Sequence, residues 1–455
     1  PAVTLSGNAD FNGDLDVDGT SNLDALDVDG ATNFAADVTF ADGADIITAS
    51  AGTSNTRIGV NTGNSIASGG NYNVVIGDEA GTALTTGDNN VAIGYAALDA
   101  EDTGSRSTAV GYGTLGAQNN DANNDNTAVG YNAGTTISTG TNNTIMGAFA
   151  GDALSDADFN VVMGVSTMGV DTKGNKSTAI GYAALGSQNF TSSTDTHNVA
   201  VGSNCMYGNV TGVRNSAIGS TTLDASTASD NTALGYAAGG AIVGGTRNVT
   251  IGSIAGDKFT SGTDNVIIGY DAFGLAETDC SGNTIIGSFA ANDVSSNGDN
   301  NTVLGYNALA SSENDTQGTT AIGMNAGASQ GNNCSNNTYL GFEAGSDANS
   351  PGGNPADTDN SFYLGNENVV EAHIQVDWTV ASDKRDKTDV EPLKTGLDFV
   401  NKLEPVTYRW DKRSNYTDRK PTGEHKEDKL DVGFLAQDVE KLEAEYNLSL
   451  IHISE

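Results

Sequence analysis

Apolar residues in this chain return with a period much longer than a helix turn. Between residues 55 and 365 an apolar residue followed by glycine recurs, as in Ile58-Gly59, Ile93-Gly94, Met146-Gly147, Leu234-Gly235 and Ile322-Gly323. There are 18 such glycines, from Gly59 to Gly365, at a mean spacing of 18 residues. Counted from that glycine, position −1 is always Ile, Val, Leu or Met. Position +3 is Ala, Thr or Cys except in the last copy, where it is Asn368. Position −4 is Asn in 14 copies, such as Asn73, Asn143, Asn231 and Asn301, and Ser or Thr in the other four.

Strand alternation places −1 and +3 on one face. The glycine allows a tight bend or a close backbone approach. A recurrent Asn at one offset can stack into an amide ladder from copy to copy. The polar runs Gln118–Asp125 and Ser311–Gly318, where the spacing lengthens, read as surface loops. One copy is too short to bury its own apolar face, whereas stacked copies share a core. The fold class expected is therefore mainly β: a repetitive β-solenoid or β-roll rod. At about 4.8 Å per coil such a rod runs to roughly 85 Å.

The flanks differ. Residues 1–52 read as short strands, Leu15-Asp16-Val17-Asp18-Gly19 and Leu26-Asp27-Val28-Asp29-Gly30. Asp14, Asp16, Asp18 and Gly19 match the opening of an EF-hand loop, but its twelfth position is Ala25 rather than Glu. The pattern is read as a strand closed by an Asp-Gly turn, and no metal site is assigned. Beyond Gly365 the repeat stops. Glu371–Val380 reads as a strand, Leu393, Leu397, Val400 and Leu403 follow helical spacing, Val406–Trp410 alternates as a strand, and Gln437–Tyr446 reads as a helix. Residues 412–431 between them read as a charged loop. This is a small α+β segment unlike anything before it.

Charge sharpens the boundary. The net charge is −38, and residues 1–370 hold 7 Lys and Arg against 39 Asp and Glu. Such a balance argues against a nucleic-acid binder and a polybasic membrane anchor. No apolar run reaches the length of a membrane span. Residues 2–350 contain no proline, which suits uninterrupted backbone ladders. Cys205, Cys280 and Cys334 form no metal-binding spacing and no disulfide framework. His197, His373, His425 and His452 are widely separated. Seven tyrosines directly follow a repeat glycine: Tyr95, Tyr112, Tyr131, Tyr182, Tyr236, Tyr270 and Tyr306. They are read as packing between coils or chains rather than as a sugar-stacking platform.

Two resemblances follow from these motifs. The repeat resembles the head repeats of trimeric bacterial adhesins and the Gly-rich repeats of phage tail fibres, which implies a trimeric rod. The run ASDKRDKTDVEPLKTGLDFVNKLEPVTYRW, followed by GFLAQDVEKLE, is similar to the endosialidase-type C-terminal intramolecular chaperone of phage tail fibres and tailspikes. That resemblance implies a domain that trimerises, assists folding of the upstream fibre and then cuts itself off. Carried over, the nucleophile is Ser382, the general base is Lys387 and the scissile bond is Ala381–Ser382. It implies no cofactor. Its partners would be two further copies, other tail proteins and a host-surface glycan or protein receptor, in a virion tail assembled in the host cytoplasm.

The expected organisation is a strand-and-turn region over 1–52, a repeat rod over 53–369, a strand linker over 370–381 and the chaperone over 382–455. The chain begins at Pro1 and ends at Glu455 short of the family's long helices, so an incomplete chain with a truncated chaperone is expected. The function expected is a structural and host-adhesion component of a tail fibre, with self-cleavage as its sole chemistry. The alternatives are a tailspike that cleaves host glycan and a bacterial trimeric surface adhesin.

Overall fold

A computed structural model describes residues 51–275, 280–294, 298–310, 316–331, 334–346, 358–370, 372, 388, 396–411 and 420–446. The region expected over 1–52, residues 51 and 52 aside, and nearly all of the strand expected over 371–380 lie outside the described residues.

Each repeat contributes one three-residue strand, at positions −3 to −1. Eighteen of them form a single parallel sheet. Every strand pairs with the equivalent strand of the next coil, residue for residue: Val74 with Val91, Ala92 with Ala109, Ile267 with Ile285. The chain is mainly β, as expected, and its long element is a β-solenoid.

The expected alternation fails at one point. The residue that enters the core from each strand is −2, not −1. Val75, Ala92, Ile145, Val162, Ile267 and Val303 are fully or almost fully buried. Position −1 faces outward, with Ile218, Leu234 and Leu304 about half exposed. Position +3 is nevertheless buried, as at Ala97, Ala184 and Cys205. The reason is the glycine. From Gly59 to Gly341 its φ lies between 118° and 146°, so the chain turns instead of continuing as a strand. A methyl group at Gly181 would sit 2.4 Å from the Gly202 carbonyl oxygen, so a side chain is excluded sterically as well as torsionally.

Position +3 and two further positions complete the core. In six coils where +4 is Gly, from Gly63 to Gly256, +7 is a large apolar residue, as in Gly81 with Leu84, Gly134 with Ile137 and Gly151 with Leu154. At Gly327 and Gly345 the Tyr339 ring takes that space instead. A Cβ at Gly81 would lie 2.7 Å from Leu84 Cδ1, so the +7 side chain occupies the +4 space. Where +4 is Leu98, Leu115, Met168 or Leu185, that space is filled from +4, and +7 becomes the buried polar residue Glu101, Gln118, Asp171 or Gln188. Volume is conserved coil by coil, as close packing requires.

The Asn column forms the expected ladder. Asn73 Oδ1 accepts from the Asn90 backbone N–H at 2.8 Å, while Asn73 Nδ2 donates to the Gly87 carbonyl at 2.8 Å. Asn90 repeats this toward Ser107 and Gly104, and Asn231 toward Asn248 and Gly245. At Ser107 and Ser177 the amide is missing. Gln118 and Gln188, eleven residues on, supply it. Gln118 Nε2 donates to Ser107 Oγ at 2.7 Å, and its Oε1 accepts from Asn126 Nδ2 at 2.9 Å. Gln188 makes the same bridge between Ser177 and Asn198. These glutamines also answer buried carboxylates one coil earlier: Gln118 donates to Glu101 at 3.0 Å and Gln188 to Asp171 at 2.6 Å. The stretch Gln118–Asp125 is thus not wholly a surface loop, since Gln118 and Asn124 are fully buried. Of Ser311–Gly318, residues 311–315 lie outside the described residues and Thr316 is buried.

Burial pushes the carboxyl pKa of Glu101 upward, and does the same for the half-buried Asp99, Asp152, Asp224 and Asp257. On the surface the sense reverses. Hydrogen bonds from Lys173, Lys176, Arg214 and Arg247 hold Asp156, Asp195, Asp230 and Asp264 below the usual carboxylate range. Arg214 and Arg247 each make two N–H···O contacts at 2.6 and 2.8 Å to the aspartate one coil on.

Two outcomes are expected. Gln118→Leu removes the hydrogen bonds to Ser107 Oγ, Glu101 and Asn126. Glu101 keeps those from Asn124 and Gly104, and Asn126 keeps that to Gly140, so the change should cost about 1–3 kcal/mol. Thermal unfolding and amide exchange over residues 101–126 would register it, Ser107→Asn should restore part of the loss, and unchanged exchange would refute the account. The raised carboxyls favour the fold once protonated, a contribution complete below their unfolded values and lost as pH rises through their folded ones. The ion-paired aspartates act oppositely, and their contribution is lost as pH falls below the ordinary value of about 3.9. The melting temperature should therefore rise as pH is lowered from neutrality toward the ordinary carboxylate range and fall again below it. A steady decline from neutrality would contradict this.

Candidate functional site

The C-terminal segment is built from two helices and a short hairpin. Helix α1 spans Gly396–Lys402 and α2 spans Ala436–Tyr446. The strand Val406–Tyr408 pairs antiparallel with Asp431–Gly433. The helix expected from Leu393, Leu397, Val400 and Leu403 exists, but its buried residue is Phe399. Leu397 is 77% exposed and Val400 is exposed as well, while Leu393 lies outside the described residues. The apolar stripe therefore does not face the interior of one chain.

The two helices meet at Tyr446. Its ring stands edge-on to Phe399, with centroids 5.5 Å apart, and lies 4.9 Å beneath the Lys402 ammonium. Lys402 also pairs with Glu445, and these partners raise its pKa. Tyr408 and Trp410 pack edge to face at the hairpin, and the Trp410 carbonyl accepts from the Glu427 N–H at 2.8 Å. Beside them is a cleft of about 250 Å³ lined by Lys402, Leu403, Phe434, Leu435, Val439 and Leu442, among others. Its wall is continuous with an apolar surface. Leu430, Val432, Phe434 and Leu435 are all exposed.

The residues expected to carry chemistry, Ala381, Ser382 and Lys387, lie outside the described residues, as do His373 and His452. His197 and His425 are exposed in separate parts of the chain. Among the described residues, no group of three or more His, Cys, Asp or Glu is placed to hold a metal ion. Cys205, Cys280 and Cys334 are buried and not disulfide-bonded, and burial pushes the Cys205 thiol up to about 12. No helix among the described residues is long and apolar enough to cross a membrane.

Three of the seven tyrosines after the repeat glycines stack on one another. Tyr95, Tyr112 and Tyr131 lie nearly parallel, with centroids 5.1–5.2 Å apart, and Phe149 closes the row edge-on. Neighbouring rings cover one another's faces, which a stacked sugar would need. Tyr270, Phe289 and Tyr306 meet edge to face instead. What the sequence reading missed is the glutamine bridge. Its signal was present in the chain: Ser107 and Ser177 replace Asn, and each is followed eleven residues later by Gln. Thr319 and Gln330 share that spacing, but Gln330 donates to Thr316 and the Cys334 carbonyl instead.

Residues 382–447 match the family model described as chaperone of endosialidase. No curated protein and no solved structure matches the chain. The C-terminal segment is thus similar to the chaperone of endosialidase, and in the chain it follows a long β-solenoid.

Proposed function

We propose that the chain is the shaft of a phage tail fibre, that three copies assemble through the C-terminal chaperone, and that the chaperone then releases itself before Ser382. The observation that carries the proposal is the position of the family match. It begins at Ser382, the residue that self-cleavage would leave as a new N-terminus, and it follows the solenoid. The exposed apolar surface of the C-terminal segment supports assembly. Leu397 and Val432 are 77% and 73% exposed, and such side chains gain about 1.5–3 kcal/mol each when covered. Host adhesion, to a surface glycan or protein, belongs to the polar loops or to one end of the shaft.

The chemistry of release is an acyl shift followed by hydrolysis. Ser382 Oγ attacks the Ala381 carbonyl carbon while the neutral Lys387 amine takes the hydroxyl proton. The C–N bond breaks, the proton passes to the departing Ser382 nitrogen, and Ala381 is left as an ester on Oγ. Water cleaves that ester to the Ala381 carboxylate and the Ser382 hydroxyl. Lys387 must be held neutral for this, by burial or by the cations Lys384 and Arg385 next to it, against the opposing carboxylates Asp383 and Asp386.

Denaturing electrophoresis of the expressed chain should give two fragments, the smaller beginning at Ser382 by N-terminal sequencing. Ser382→Ala and Lys387→Ala should each give one uncut band. Identical bands for all three chains would end the self-cleavage reading. Native mass spectrometry should find three solenoid chains together, and a single chain would end the trimer reading.

A further inference from the structure

The outward face of the solenoid sheet is uncharged along its whole length. Positions −3 and −1 both point away from the core, because −2 points into it. Neither column contains a single Asp, Glu, Lys or Arg in any coil, although the chain carries 58 acidic residues. Column −3 is Val, Thr or Ser apart from Phe362, and column −1 is Ile, Val, Leu or Met. The adjoining column, +1, holds one charge, Asp78, among its tyrosines and small residues. Charge is displaced to other edges. One of them, column −5, runs Arg214, Asp230, Arg247, Asp264 on successive coils and satisfies itself within the chain.

The stripe is exposed in a single chain. Ile58 is 54% accessible, and Ile218, Leu234, Leu304 and Leu340 are 40–48% accessible. Solvation alone does not explain rows of aliphatic side chains with no interspersed charge, and such patches on soluble proteins mark contact surfaces. Eighteen strands at about 4.8 Å, by about 10 Å across the outward positions, give on the order of 800 Å² per chain, the area one partner buries in a stable interface.

From these observations we infer that this face is the contact between solenoid chains, and that its occupant is a second copy of the same chain, parallel and in register. The inference rests on the assembly proposed above and identifies the surface that makes it along the shaft. Two arguments select a second copy. The face repeats an aliphatic row once per coil, and a partner of the same repeat, running the same way, meets every row with an equivalent row. Two chains of net charge −38 also repel, so they can approach only where neither presents charge. The stacked tyrosines border the stripe and would close its rim.

The test uses the full chain. Ile218→Glu/Leu234→Glu/Leu304→Glu puts three charges on the stripe at exposed positions. Asn89→Asp/Asn142→Asp/Asn300→Asp puts three on the −5 edge, at exposed sites whose left-handed backbone suits Asp. Native mass spectrometry and far-ultraviolet dichroism are read for both. The stripe variant should dissociate at a total concentration at least tenfold higher than the wild type does, and the edge variant at the wild-type concentration. If the stripe variant does not fold, Ile218→Cys decides the matter. It should cross-link chains on a non-reducing gel, whereas Asn142→Cys should not. A stripe variant that dissociates at the wild-type concentration, or an uncross-linked Ile218→Cys chain within an assembled particle, overturns the interface and leaves the trimer standing. A wild-type chain that is single in solution overturns both.

Discussion

A coil of seventeen or eighteen residues cannot satisfy its own backbone. Each of its three-residue strands leaves N–H and C=O groups that only the coils before and after can answer, and an unanswered buried group costs about 1–3 kcal/mol. The buried amide column is what closes this account at the turn into each strand. Asn73, Asn90, Asn143 and their equivalents present Oδ1 to the next coil's N–H and send Nδ2 to a carbonyl some fourteen residues on. The column fixes both spacing and register, because an amide displaced by one residue meets neither partner. Everything else in the solenoid is arranged around that constraint.

The substitutions in the ladder show how strict it is. Ser107 and Ser177 lack the amide, and Gln118 and Gln188 return it from another part of the coil. Each glutamine occupies +7, the position that holds Leu84, Ile137 and Leu154 in coils where +4 is Gly. Leu115 and Leu185 fill the volume that this exchange opens. The same glutamines donate to Glu101 and Asp171, so a carboxylate is held deep in a core without a cation beside it. Repair of the ladder, replacement of core volume and satisfaction of a buried charge are therefore one coupled set of changes. An isolated substitution within it breaks several bonds together.

An inward-facing ladder and an outward-facing aliphatic stripe follow from the same turn. The glycine ends each strand after three residues and bends the chain, so −2 and +3 reach the core while −3 and −1 do not. A solenoid made this way has an interior crossed by the amide ladder and one face whose apolar rows are exposed among the described residues. The C-terminal segment has a comparable imbalance, with Leu397, Val432 and Phe434 turned outward. Both parts carry apolar surface that the described residues of one chain leave exposed.

Read alone, the amino-acid order determined the period, the eighteen coils, the glycine at each bend and the amide column, because each is a fixed residue type at a fixed offset. It also determined the chaperone segment, whose motif is long and contiguous. It did not determine which strand position enters the core. Period-two alternation assumes that a strand continues through the glycine, and a φ near 135° ends it there. Nor did it reveal that Gln118 belongs to the interior, since its partners Ser107, Glu101 and Asn126 come from three successive coils. Those contacts exist only once the coils are stacked. Ladder, core and exposed stripe are properties of neighbouring coils, so only the tertiary structure could assign a residue to one of them.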